Sequence, residues 1–479
     1  MKFKLLQAIF WVEIIFSIGL MAGSRGYLTT PDELKIIAQK ATQGVEPYRT
    51  AYKDVLIWAD KEWNFSPEKI VECPGADEPA WLDEFGGASI VYAKALAYHL
   101  TGKKAYARQV KKILDRLMRS ILDVAEGDDF PERQCMLNLA WGIPEYLYAA
   151  DLIEDFWANS TSVGPLNYYP HNTDLGKGPS KFLFQNWLVK TAYYIVSKND
   201  LGNHNWGVAG SNLCLAIADY LWDRPEVIIH HRNPPWINGG EPFFFHPDQA
   251  YQYVKKHLLD SMNGYTVSFW SRHSCDLLNK SDRNLPQLGP PVKGQITENG
   301  IVTQDARRQE WCNISRYNGE YQNYPQVHLD NLIAAAELIW RRGDDTVFTN
   351  IDSTDIPNFS YSDHRGNRYT THLKPGRGSL RRALNAIIID SQTPYKRGNG
   401  LWVAYRFYLQ KEKKITPDLA EWKKWLDRHA RPSQGICFAT LTHCFAETER
   451  PLPPPQIPPP LSPPNCPSSE RIPFKTRSP

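Results

Sequence analysis

The chain has 479 residues, 42% of them hydrophobic, which is enough for one large core or two or three ordinary ones. A formal net charge of +3 excludes a broadly basic nucleic-acid-binding surface. It does not exclude a local Arg and Lys cluster facing an acidic ligand.

The N-terminus reads as a secretory signal over residues 1–24. Lys2 and Lys4 form a positive start, Leu5 to Leu20 is mostly apolar, and Ala22-Gly23-Ser24 offers small residues for cleavage. Glu13 interrupts the apolar run, and a signal anchor is the alternative. No later stretch is long and apolar enough to cross a membrane, so none is expected after cleavage. Acceptor sequons at Asn159, Asn279, Asn313 and Asn358 agree with a secreted, extracellular protein, and a fifth at Asn64 is weakened by Pro67. The eight cysteines suit an oxidising compartment. Cys437 and Cys444 are close enough for a local loop, while Cys214 sits in an apolar run and reads as a buried thiol. There is no CxxC pair and no His/Asp cluster with metal spacing, so neither a metal nor a cofactor is expected.

From there the chain reads as helix after helix. Gly86 to Leu100 is apolar on most sides, and Thr101-Gly102 breaks it. Ala107, Val110, Ile113, Leu114 and Leu117 then recur at helical spacing between Lys and Arg. Leu137 to Ile153, Phe182 to Val196, Ser211 to Trp222, Tyr251 to Met262 and Leu329 to Trp340 continue the theme. Strand signals are sparse. Helical hairpins whose inner members are apolar all round predict an all-α domain over 25–446, either a solenoid or an (α/α) toroid. Thr349 to Lys374 reads as polar loop, and His230-His231-Arg232 as an exposed loop without a role. His246, His257, His273, His328 and His364 read as structural or surface residues. The segment 447–479 holds 12 of the 36 prolines and predicts a disordered, low-complexity tail.

Chemistry concentrates at Lys198 to Gly210 (KNDLGNHNWGVAG), where Asn203 and His204 adjoin ahead of Trp206 and an apolar helix. An amide binds a carboxylate without titrating, and a histidine takes or holds a proton near neutral pH. A second motif runs from Arg316 through Tyr321 and Tyr324 to Gln326, just before the helix VHLDNLIAAAELIW. The 16 Trp, 24 Tyr and 19 Phe serve chiefly as core, yet their flat faces also suit sugar rings, Trp81 and Trp141 among them.

The stretch N-H-x-W-G-x-A-G resembles the alginate lyase family, whose members carry an Asn-His pair followed by Trp at this point. WLDEFGGASIVYAKALAYHLTGKKAYARQVKKIL and LAWGIPEYLYAADLI are similar to that family's early helices, and the resemblance spans most of residues 75–345. It implies an incomplete (α/α) toroid and a lyase that cuts a 4-linked polyuronate by β-elimination without cofactor. Counting back from Glu337, Tyr324 falls on the family's tyrosine, with Tyr321 its competitor, and Gln326 matches a glutamine of one branch. Arg316 stands farther from Tyr324 than the family's arginine does, so Arg307 and Arg308 are alternatives.

In such a reaction Asn203, His204 and an arginine offset the charge that develops when the C5 proton, α to the C6 carboxylate, is lost. If proton and leaving oxygen lie on one face, Tyr324 serves as both base and acid. If they lie on opposite faces, His204 is the base and Tyr324 the acid. The resemblance thus assigns catalysis to Tyr324, His204, Asn203 and Arg316, and substrate binding to Trp206, Gln326, Arg308, Tyr321 and Trp81. The expected partner is an acidic polysaccharide substrate, and the protein itself is expected to be a monomer. A toroidal glycoside hydrolase would need two carboxylic acids, for which Asp83, Glu84, Asp248 and Asp305 are available. A non-catalytic carbohydrate-binding protein has only the Pro-rich tail in its favour.

Overall fold

A computed structural model describes residues 24–63, 87–120, 130–157, 162–163, 178–198, 201–202, 204–232, 243–263, 296, 300, 302, 305, 323–362, 368–390, 398–429 and 438–443. Residues 1–23 of the segment read as a signal and the Pro-rich tail lie outside these residues, as do Cys437 and Cys444. Cys214 is a free, buried thiol, as its apolar surroundings predict.

The helices sort by how much of their circumference is covered. In α3 (Gly87–Thr101) every residue from Gly87 to Ala97 is buried, and in α9 (Asn205–Tyr220) all sixteen are. Helices buried on all sides belong to the inside of a layered structure. By contrast α4 (Lys104–Ser120) buries only Tyr106, Ala107, Val110, Ile113, Leu114, Leu117 and Met118, one stripe with Lys and Arg on the other face. It is an outer helix. The short α1 (Pro31–Thr42) is fixed at its start by a capping box, in which Thr30 and Glu33 satisfy each other's backbone N–H groups.

The inner helices are α3, α5 (Phe130–Leu152), α9, α11 (Asn323–Arg341) and α14 (Gly398–Glu412), each packed on the next in that order. The outer layer holds α2 (Tyr48–Ala59), α4, a long helix built from α7 (Ser180–Trp187), a π-turn and α8 (Tyr194–Val196), then α10 (Pro247–Met262), α13 (Leu380–Asn385) and α15 (Pro417–His429). The α6 turn (Glu154–Trp157) and α12 (Thr346–Thr349) are single-turn connectors. A last short helix, α16 (Ala439–Thr442), bridges α14 to α1 and α2 and closes the side that the inner ring leaves open. The molecule is an incomplete α/α toroid.

Side-chain pairs show that the inner helices run the same way. Tyr92 of α3 lies against Tyr148 of α5, and seven residues on His99 bonds the Leu152 carbonyl. Arg342, just past α11, pairs with Asp219 near the end of α9. A Cβ on Gly400 of α14 would meet Asp330 of α11 at 2.2 Å, while Phe407 stacks edge-on with Trp340. All five N-terminal ends therefore point to one mouth of the toroid and all C-terminal ends to the other.

The C-terminal mouth is plugged by the start of the described chain. The Asp151 carboxylate accepts from Ser24 Oγ at 2.6 Å and from the Arg25 and Gly26 amides at 2.6 and 2.9 Å. Asp219 receives Arg25 Nη2 at 2.7 Å and Arg342 at 2.8 and 2.6 Å. Tyr27 stacks on Tyr148 with ring centroids 5.1 Å apart. Glu33 holds Arg341 at 3.0 Å and Arg406 at 3.3 Å. These arginines complement the negative ends of the inner helices. Burial raises the Asp219 carboxyl, but Arg342 and Arg25 overcome it and hold the group well below the usual carboxylate range.

Among the described residues, three two-stranded antiparallel sheets decorate the helices: β1 (Ser162–Val163) with β2 (Gly178–Pro179), β3 (Ile229–His231) with β4 (Phe243–Phe245), and β5 (Ile356–Ser362) with β6 (Arg368–Leu373). Two sequence expectations need correction here. Thr349 to Lys374, read as loop, contains the β5–β6 hairpin, whose exposed polar faces carry no apolar alternation. His230 and His231 lie in β3, and His231 is buried with Nδ1 3.0 Å from the Tyr193 hydroxyl, where burial lowers its pKa to about 3.

Candidate active site at the N-terminal mouth

His204 is the N-cap of α9. Its backbone is extended, and its Nδ1 accepts from the amides of Trp206 at 3.1 Å and Gly207 at 3.2 Å. Backbone amides only donate, so Nδ1 must present its lone pair and the ring hydrogen belongs on Nε2. The approach to this cap is tight. Gly202 has φ +77°, and a Cβ there would lie 3.1 Å from Ser261 Cβ and 3.2 Å from the His257 carbonyl. Ser261 Oγ donates to the Gly202 carbonyl, pinning the turn to α10. The His204 ring is half-buried, and Trp206 stands edge-on to it at 6.2 Å.

Tyr324 is the second residue of α11 and is half-buried. Because α9 and α11 pack side by side in parallel, Tyr324 and His204 occupy the same mouth. Gln326 and Trp206 are more enclosed, with 1% and 8% of their surfaces exposed. Trp141 of α5 is half-buried. Asn203, Arg316, Arg307, Arg308, Tyr321 and Trp81 lie outside the described residues.

Behind the mouth sits a pair that the sequence reading passed over. Asp305, fully buried, accepts the Asn205 amide at 3.2 Å on Oδ1 and bonds His328 Nδ1 at 2.8 Å on Oδ2. His328, read from sequence as structural or surface, is 1% exposed. The available signal was its position four residues after Tyr324, on the same face of α11. Among the described residues, His328 Nε2, Ser211 Oγ and Asn331 Oδ1 are buried without a hydrogen-bond partner. All three lie on α9 and α11, within about three turns of the mouth by the helical rise.

No family model matches the chain, and no curated protein does. Among solved structures it is similar to alginate lyase A1-III from Sphingomonas species A1. That comparison covers 86% of this chain and 94% of the other, at 12% identity and a TM-score of 0.44.

Of the carboxylates weighed for a hydrolase, Asp305 and Asp248 are described. Asp305 is committed to Asn205 and His328. Asp248 stands in the first turn of α10, whose start is fixed by His246 against the Pro225 carbonyl beyond the C-terminal end of α9. Asp83 and Glu84 lie outside the described residues.

Proposed function

We propose that this protein is a polysaccharide lyase that cleaves a 4-linked polyuronate by β-elimination. The observation that carries the reading is the state of His204 at a mouth it shares with Tyr324. With Nδ1 accepting two amides, the imidazole offers Nε2–H as a hydrogen-bond donor. That suits a substrate carboxylate, whose charge grows as the C5 proton leaves. Five inner-helix N-termini facing the same mouth add partial positive charge that favours a polyanion.

The same geometry argues against His204 as the base. To take a proton on Nε2 it would need the other tautomer, which turns an Nδ1–H against two amide N–H groups. Tyr324 is then the group that removes the C5 proton as a phenolate. The C5–H electrons form the C4=C5 double bond, the C4–O4 bond breaks, and Tyr324 returns the proton to O4. Asn203 and Arg316 join His204 on the carboxylate, and Trp206, Gln326, Arg308, Tyr321 and Trp81 complete the substrate contacts. One residue serving as base and acid requires the proton and the leaving oxygen on one face, which favours a polymer of mannuronate or glucuronate, alike at C4 and C5, over one of guluronate, the C5 epimer. Secretion fits the signal-like N-terminus and the sequon at Asn358, which is exposed on β5.

The test is to incubate the purified protein with polymannuronate, polyguluronate, glucuronan and a glycosaminoglycan and follow near-ultraviolet absorbance. Absorbance rising on polymannuronate or glucuronan, and not on polyguluronate, is expected from the unsaturated uronide. New reducing ends without absorbance would establish a hydrolase instead, and neither signal would leave a binding protein.

A further inference from the structure

Resting on the lyase reading, we propose that Asp305 and His328 are positioning residues: a buried clamp that fixes His204 on α9 against Tyr324 on α11.

His204 and Tyr324 sit on different helices, each half-buried at a helix start, where fraying is easiest. Something must set their spacing, since a displacement of about 1 Å in such a site can cost about a hundredfold in rate. The Asp305 carboxylate hydrogen-bonds to both helices at this level. One oxygen takes the amide of Asn205, the residue next to His204. The other takes the Nδ1–H of His328, one turn along α11 from Tyr324. All three partners are at most 1% exposed, so water does not compete for these bonds. A carboxylate at the start of α9 also complements the helix's positive end and holds its first amide in place. His328 donates from Nδ1, which leaves the lone pair on Nε2. A neutral acceptor is the less costly state for a buried nitrogen with no partner among the described residues.

The clamp predicts which atom of His328 matters. Asparagine places its amide N–H where histidine places Nδ1–H, but has nothing at Nε2. We expect His328→Leu to lower kcat about 10- to 100-fold on the best uronan with KM changed less than about threefold, following the cost of misplacement. In the same variant, hydrogen exchange of the 204–208 amides should accelerate at least about tenfold, as for a locally released segment. His328→Asn should restore both. Should His328→Leu not fold, Asp305→Ala provides the same comparison, because it removes the bonds to Asn205 and His328 together.

Unchanged kcat and exchange in His328→Leu, or in Asp305→Ala when it stands in, would overturn the clamp. Normal exchange with lost turnover in His328→Asn would overturn it too, because the ring would then act through Nε2. A wild-type protein that produces no unsaturated uronide overturns the lyase reading instead, and the exchange measurement still decides the clamp.

Discussion

Arg341, the last residue of α11, meets Glu33 of α1 at 3.0 Å across 308 residues of chain. The same guanidinium reaches Glu337 at 2.8 Å and the Leu28 carbonyl at 3.0 Å. One buried arginine thereby fastens the first helix to the inner ring and seals the mouth opposite the candidate site.

Acid sensitivity follows from this contact. Burial raises the Glu33 carboxyl, but Arg341 and Arg406 overcome it and hold it at about 2, against an ordinary 4.5. A depressed folded-state pKa contributes stability that is complete above the unfolded value and fades as pH falls from 4.5 towards 2. At about 1.4 kcal/mol per unit the contribution near neutrality is roughly 3 kcal/mol. Asp219 acts in the same direction, whereas Asp151, raised by burial, acts against it. Glu33→Gln should lower the unfolding free energy in urea at pH 7 by about that amount, and its deficit should narrow at pH 3. A deficit equal at both pH values would show that Glu33 stabilises by packing rather than by charge.

Asp219 anchors two arginines at once. Replacing it with Asn leaves Arg25 and Arg342 buried and undercompensated, a change that typically costs about 3–5 kcal/mol. Arg25→Met should cost less, because Arg342 keeps its two bonds to the carboxylate. Thermal melts of the two variants test the order. A milder effect from Asp219→Asn than from Arg25→Met would mean that the plug, rather than the charge pair, carries the stability.

On the proposed lyase reading, His204 has two separable tasks. Nδ1 caps α9, and Nε2–H is the donor assigned to the substrate. Asparagine is a good N-cap and reproduces the Nδ1 acceptor, so His204→Asn should retain stability to within about 0.5 kcal/mol while losing most turnover. Glutamine extends an amide N–H towards the Nε2 position. His204→Gln should keep more activity than His204→Asn but lose about 1 kcal/mol of helix capping. The reverse ranking in activity would point to the cap, and with it the shape of the turn, as what the reaction needs.

How much of this was legible in the residues depends on the range of the interaction. The all-round apolar runs of α3 and α9 announce inner helices, and the single stripe of α4 announces an outer one, because burial imprints its own periodicity. His204 before an apolar helix was readable as a helix start. Contacts between segments far apart left no local trace. Glu33 and Arg341 each look like ordinary surface charges in sequence. Asp305 precedes no periodic run, so its bond to Asn205, 100 residues away, could not be anticipated. The β5–β6 hairpin went unseen for another reason: Asn358 and Ser360 are exposed, and no apolar face declares a strand.

Tyr324 is the sharpest point at which the proposed chemistry can fail. Tyr324→Phe removes only the hydroxyl, and the residue is half-buried at the start of α11, so the fold and polymer binding should survive. Turnover should drop by at least about a thousandfold, as expected when one group serves as both base and acid, each role contributing about 10²–10⁴. Tyr321→Phe should leave most activity. The pair of variants, assayed for the unsaturated product and for uronan binding by calorimetry, reads the register directly. An active Tyr324→Phe beside a dead Tyr321→Phe would move the acid–base role three residues upstream, and with it the clamp's partner on α11.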